Sequence, residues 1–104
     1  MSISERYRQL VTDLVATVRQ IEEENAPERT LKVLHNGINV LEKQVESVGE
    51  IPRMRIEAHL SPVLLDAHNI LDRARLLLLD DRAKVSADRV WEIQQMLYRL
   101  LNDL

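Results

Sequence analysis

The sequence predicts an all-α chain folded as an antiparallel up-and-down four-helix bundle, and three observations carry that expectation. Apolar residues recur at steps of three and four through four segments, the period of a single helix face. Only two glycines and three prolines occur in 104 residues, too few turn residues for a strand-rich domain. Breakers cluster between the periodic segments, so the helices are joined by short connections and pack most simply beside their neighbours in sequence. A chain of this length forms one domain, residues 1–104, with a single core.

The first helix is signalled by Ser2 with Glu5 three residues on, a pair able to satisfy free amides at a helix start reciprocally. Ile3, Tyr7, Leu10, Val11, Leu14, Val15, Val18 and Ile21 then form one stripe, which predicts a helix to about Asn25. Glu22, Glu23 and Glu24 lie at its C-terminal end, where the helix dipole disfavours negative charge, so that end is expected to fray and the acids to be solvated.

Pro27 suits the first turn of a second helix. Leu31, Leu34, Ile38, Leu41, Val45 and Val48 make its seam, with Gly49 and Pro52 as the stop. Gly37, inside this helix at a cost of about 1 kcal/mol against alanine, reads as a point of close helix contact. Between Pro52 and Pro62 the pattern admits either a short separate helix over about Arg53 to His59 or an irregular linker, both preferred here to the start of a kinked long helix.

Ser61 and Pro62 read as cap and first position of a third helix. Its row Leu64, Ala67, Leu71, Ala74 and Leu78, flanked by Val63, Ile70 and Leu77, is wide enough to make it the most buried of the four. Leu76 and Leu79 fall off that row and need cover from neighbours, a partner or water. Asp80 to Lys84 forms the next turn, with Ser86 as cap of the fourth helix and Val85 placed to staple onto Val90. Ile93, Leu97, Leu100 and Leu104 continue the stripe, widened by Met96 and Leu101.

A net charge of −3 argues against a general nucleic-acid binder, which needs a dense basic face. Its excess acidity lies in the first half: six basic and nine acidic side chains stand through Pro52, against eight of each beyond it. No cysteine is present, which excludes disulfides and thiolate sites and fits a reducing compartment. With no apolar N-terminal signal and no apolar run longer than Leu76 to Leu79, the chain is expected to be cytoplasmic and to cross no membrane.

Catalytic chemistry finds little to stand on. The three histidines, His35, His59 and His68, are the only candidates for metal binding or general base. His68 and Asp72 have the four-residue spacing of a helical ligand pair, which a surface hydrogen bond or ion pair explains as well. There is no glycine-rich phosphate loop and no Glu-x-x-His pair. No enzyme activity, cofactor or metal is expected. A protein partner is, because aromatic and arginine residues anchor interfaces and the fourth helix holds Arg89, Trp91, Tyr98 and Arg99. Trp91, half a turn off the apolar stripe, is either a core edge or an exposed anchor.

The stretch ILDRARLLLLDDRAKVSADRVWEIQQMLYRLLNDL resembles the C-terminal helical hairpin of immunity proteins for pediocin-like bacteriocins, and RTLKVLHNGINVLEKQ is similar to their second helix. The connection from Leu41 to Leu71 is longer than in that family. The resemblance implies a cytoplasmic four-helix bundle that protects the producing cell without enzymatic chemistry. Its partner would be the sugar-transport permease that the bacteriocin uses as receptor, engaged from inside with peripheral contact to the membrane. By the same resemblance Arg82, Lys84, Arg89 and Trp91 would share the contact surface. The competing expectation is a helical adaptor, anti-activator or secretion chaperone that dimerises and sequesters a partner helix. A monomer with covered leucines fits immunity; a homodimer through the second or third helix fits the adaptor.

Overall fold

The computed structural model describes residues 1–104 and is entirely helices, turns and connections. The helices are α1 (Ile3–Glu23), α2 (Glu28–Glu42), α3 (Ile56–Asp80) and α4 (Lys84–Asn102), with 3-10 turns at Val48–Glu50 and Arg53–Arg55. Helix α3 packs on α2 and α4, and α1 packs on the same two, with no close contact across either diagonal. Four helices therefore occupy the corners of a square in chain order, each reversing the last, in a rod of 43 × 21 × 21 Å. No helix is long and apolar enough to cross a membrane.

Each helix contributes its stripe to one buried cluster, including Leu10, Leu14 and Ile21 of α1, Leu34 and Leu41 of α2, Leu64, Leu71 and Leu78 of α3, and Val90 and Leu97 of α4. Burial of each such side chain stabilises by about 1.5–3 kcal/mol. Tyr7 is also fully buried, and its hydroxyl donates to the Leu41 carbonyl at 2.6 Å, tying the start of α1 to the end of α2. Gly37 lies where α2 meets α3: a Cβ there would stand 3.0 Å from Leu71 Cδ2, so the close contact read from the sequence is present.

The Ser2–Glu5 capping box forms as expected, with Ser2 Oγ accepting from the Glu5 amide at 3.1 Å and Glu5 Oε1 accepting from the Ser2 amide at 3.4 Å. Helices α1 and α3 end alike. Asn25 N–H donates to Glu22 O and Ala26 N–H to Ile21 O; Arg82 N–H donates to Leu79 O and Ala83 N–H to Leu78 O. Both turns are Schellman caps, and their left-handed residues are Asn25 at φ 60° and Arg82 at φ 61°.

Three local expectations are corrected. Helix α2 stops at Glu42 rather than near Gly49; Lys43–Ser47 continue as turns, and Arg8 Nε donates to the Val45 carbonyl at 3.3 Å. Val48 still reaches the core. Helix α3 begins at Ile56 and runs unbroken through Ser61 and Pro62, so these are neither cap nor first position; Arg53–Arg55 form a 3-10 turn and Ile56–His59 belong to α3, so the segment is neither a separate short helix nor an irregular linker. Pro62 leaves the Ala58 carbonyl without its helical donor, a defect of about 3 kcal/mol in a helix interior. Ala58 and Pro62 are both exposed, so water can take that carbonyl, and the extra turn buries Leu60 completely. Helix α4 starts at Lys84 with Ala83 as its cap. Ser86 is drawn inward to donate to Glu24 Oε2 at 2.8 Å, and Val85 is exposed rather than stapled.

Candidate functional surface

Helices α3 and α4 run antiparallel in a constant register. Along α3, steps of three and four carry His68, Asp72 and Arg75 down the flank that borders α4, where Tyr98, Gln94 and Trp91 follow in reverse. The His68 and Tyr98 rings are 6.3 Å apart and tilted by 56°. Asp72 Oδ1 accepts from Gln94 Nε2 at 3.2 Å and from Arg75 Nη2 at 2.9 Å, and the Arg75 guanidinium lies 5.3 Å from the centre of the Trp91 ring. Donation from Gln94, then from Arg75, holds the Asp72 carboxyl below the ordinary carboxylate value. Gln94 is itself fully buried, and its Oε1 has no hydrogen-bond partner.

Beside this polar seam, several large apolar side chains of the hairpin are open to solvent. Leu65 is 49% exposed, Leu76 50%, Leu79 42%, Trp91 46% and Tyr98 51%. Helical spacing puts Leu65, Leu76 and Leu79 on the side of α3 turned away from the core, level with the flank that carries Trp91 and Tyr98 on α4. The remaining exposed large apolar side chains, Met1, Met54 and Val85, lie elsewhere. Scattered exposed apolar residues are ordinary, but five along one face of one hairpin form a patch.

The six residues expected to form an interface divide among several places. Trp91 and Tyr98 share the open hairpin face. Arg82 and Lys84 are exposed at the corner between α3 and α4, lining a cleft of roughly 280 Å³ with Glu24, Ala26 and Val85. Arg89 turns to the α1 side, where it donates to Glu24 Oε1 at 2.8 Å. Arg99 borders a separate cleft with Arg6, Gln9 and Met96. The sequence reading missed Leu65, His68 and Arg75 as members of the open face. Their signal was the reversed match between the spacing of Leu65, His68, Asp72, Arg75 and Leu79 on one helix and Trp91, Gln94 and Tyr98 on the next.

The acids Glu22, Glu23 and Glu24 are exposed as expected, but Glu24 is also bonded across the bundle end. Glu24, capping α1, receives Ser86 and Arg89 from α4, and these donors hold its carboxyl below the ordinary value, Arg89 first. Asp81, capping α3, receives Arg29 at 2.9 Å and Thr30 at 2.8 Å from α2. The two pairs repeat one device: a carboxylate at the end of one hairpin's first helix binds a hydroxyl and an arginine at the start of the other hairpin's second helix.

Among the histidines, His35 meets Glu22 at 3.0 Å, His59 meets Gln44 at 2.9 Å, and His68 faces Tyr98 while Asp72 turns to Gln94 and Arg75. No three His, Asp or Glu side chains converge as a metal site would require. No protein-family model, no curated protein and no solved structure matches the chain.

Proposed function

We propose that this chain works without chemistry of its own, as a helical bundle that binds another protein through the outer face of its α3–α4 hairpin. The observation that supports this most is the row of half-exposed Leu65, Leu76, Leu79, Trp91 and Tyr98, an apolar and aromatic surface on a rigid pair of helices. The resemblance to immunity proteins for pediocin-like bacteriocins gives the proposal its most specific form. In that form the bundle acts in the cytoplasm, at the membrane face of a sugar-transport permease occupied by the bacteriocin, with Arg82 and Lys84 beside the open face.

The incomplete cover of Leu76 and Leu79 favours a second reading, a dimerising adaptor, anti-activator or secretion chaperone that sequesters a partner helix. Killing curves separate the two. The chain is expressed in a strain sensitive to several pediocin-like bacteriocins and compared with an empty vector. Selective survival supports immunity and names the toxin; uniform killing, with the protein folded in the cell, rejects immunity in favour of the adaptor.

A further inference from the structure

We propose that the buried amide of Gln94 is a positioning residue for the docking face: through Asp72 and Arg75 it fixes the ring of Trp91. This rests on the reading of the α3–α4 face as a docking surface and names the group that prepares its aromatic anchor.

The relay crosses between the two helices and back. Gln94 and Trp91 are three residues apart on α4, and Asp72 and Arg75 are three apart on α3, so each pair occupies one side of its helix. Three donors meet on a single oxygen: Gln94 Nε2 at 3.2 Å, Arg75 Nε at 3.2 Å and Arg75 Nη2 at 2.9 Å all donate to Asp72 Oδ1. The guanidinium so held lies 5.3 Å from the centre of the Trp91 ring, within cation–π range. Asp72 is the one ion-pair partner of Arg75, so the direction of that carboxylate decides where the guanidinium stands.

Burial grades the relay from fixed to free. Gln94 has no exposed surface, the side chains of Arg75 and Asp72 are 25% and 40% exposed, and Trp91 is 46% exposed. A carboxylate and an arginine on a helix surface keep to no single geometry unaided, since water competes for both. The fully buried amide supplies the fixed point behind them.

Stability does not account for the amide. Gln94 Oε1 is buried without a hydrogen-bond partner, a desolvation penalty that an apolar side chain of the same length would not carry. The one bond its side chain makes goes to Asp72. What the face gains is an anchor already held in one rotamer, which loses less side-chain freedom on docking.

The single tryptophan reports the relay directly. Near-ultraviolet circular dichroism and the nanosecond decay of fluorescence anisotropy of Trp91 are measured in the full chain and in Gln94→Met, Asp72→Ala and Arg75→Met. Gln94→Met keeps the length and helix preference of the side chain, so its thermal midpoint should stay level or rise. Its tryptophan dichroism should fall and the fast motion of the ring grow, to the extent seen in Arg75→Met. Asp72→Ala, at a partly exposed position, breaks the same relay without entering the core and should give the same two changes. With Arg75→Met already present, adding Gln94→Met should change Trp91 no further. A packing role alone would leave Trp91 unmoved, or move it equally with and without Arg75. Either result, or a Trp91 that stays as ordered in Asp72→Ala as in the unaltered chain, overturns the proposal. Killing curves with Trp91→Ala test the docking reading separately: undiminished protection there removes the face from the contact and leaves the spectroscopic outcome to decide the relay.

Discussion

At the scale of single residues, two buried or bridging groups should set how stability depends on pH. The Tyr7 phenol is pushed above its ordinary value by burial, so the folded state holds the neutral form. Its contribution is complete below the ordinary tyrosine pKa of about 10 and is lost as pH rises beyond it. Tyr7→Phe should cost about 1 kcal/mol at neutral pH, through the hydrogen bond lost to Leu41, and should blunt the alkaline fall in stability. Urea unfolding at a series of alkaline pH values measures both effects; an unchanged alkaline limb would show that Tyr7 does not titrate with unfolding. Glu24 has the opposite sign. Its carboxyl is held below the ordinary value by Arg89 and Ser86, so its contribution is present above about pH 4.3 and disappears as pH falls through the lowered value. Glu24→Gln should therefore flatten part of the acid limb in the same experiment. Glu24 also shows why the site was only partly legible: three adjacent glutamates at a helix end look solvated until the fold brings Ser86 and Arg89 beside them.

Among the elements, what could be read from the sequence was whatever a local signal decides. Ser2 and Glu5 are three residues apart and form their cap wherever the chain goes next. The stripes of α1 and α4 likewise depend only on period. Pro62 shows the opposite case, because the local rule that proline starts a helix competes with a tertiary gain, the burial of Leu60 one turn earlier. The proline is tolerated rather than needed. Pro62→Ala should raise stability by about 1–2 kcal/mol, restoring the amide donor to the Ala58 carbonyl against some loss of unfolded-state restriction. A destabilised variant, measured by thermal unfolding, would mean that the ring itself makes a contact the helix depends on. Ser86 was misread for a related reason: a small hydroxyl near a helix start looks like a cap, but its partner is a carboxylate 62 residues away in the chain.

For the whole molecule, the bundle was legible because four apolar stripes joined by short connections leave little choice but a square of antiparallel helices. The open face was not, since exposure of Trp91 or Leu76 depends on which flank of each stripe the neighbouring helices cover. That face and the charged corner make different predictions in the immunity form of the proposal. Charge reversal at Arg82 and Lys84, both exposed, should abolish protection of a sensitive strain with the helical fold intact. Retained protection would remove the corner from the contact surface while leaving the α3–α4 face to be tested.

The most direct test of that face uses the single tryptophan. Acrylamide quenching of Trp91 fluorescence would be measured in dilute folded protein and again as the face is filled by the bacteriocin-bound permease in vesicles. The account predicts ready quenching when dilute and shielding when the face is occupied. A Trp91 already shielded in the dilute protein, or one quenched as readily with the partner present as without it, would contradict it.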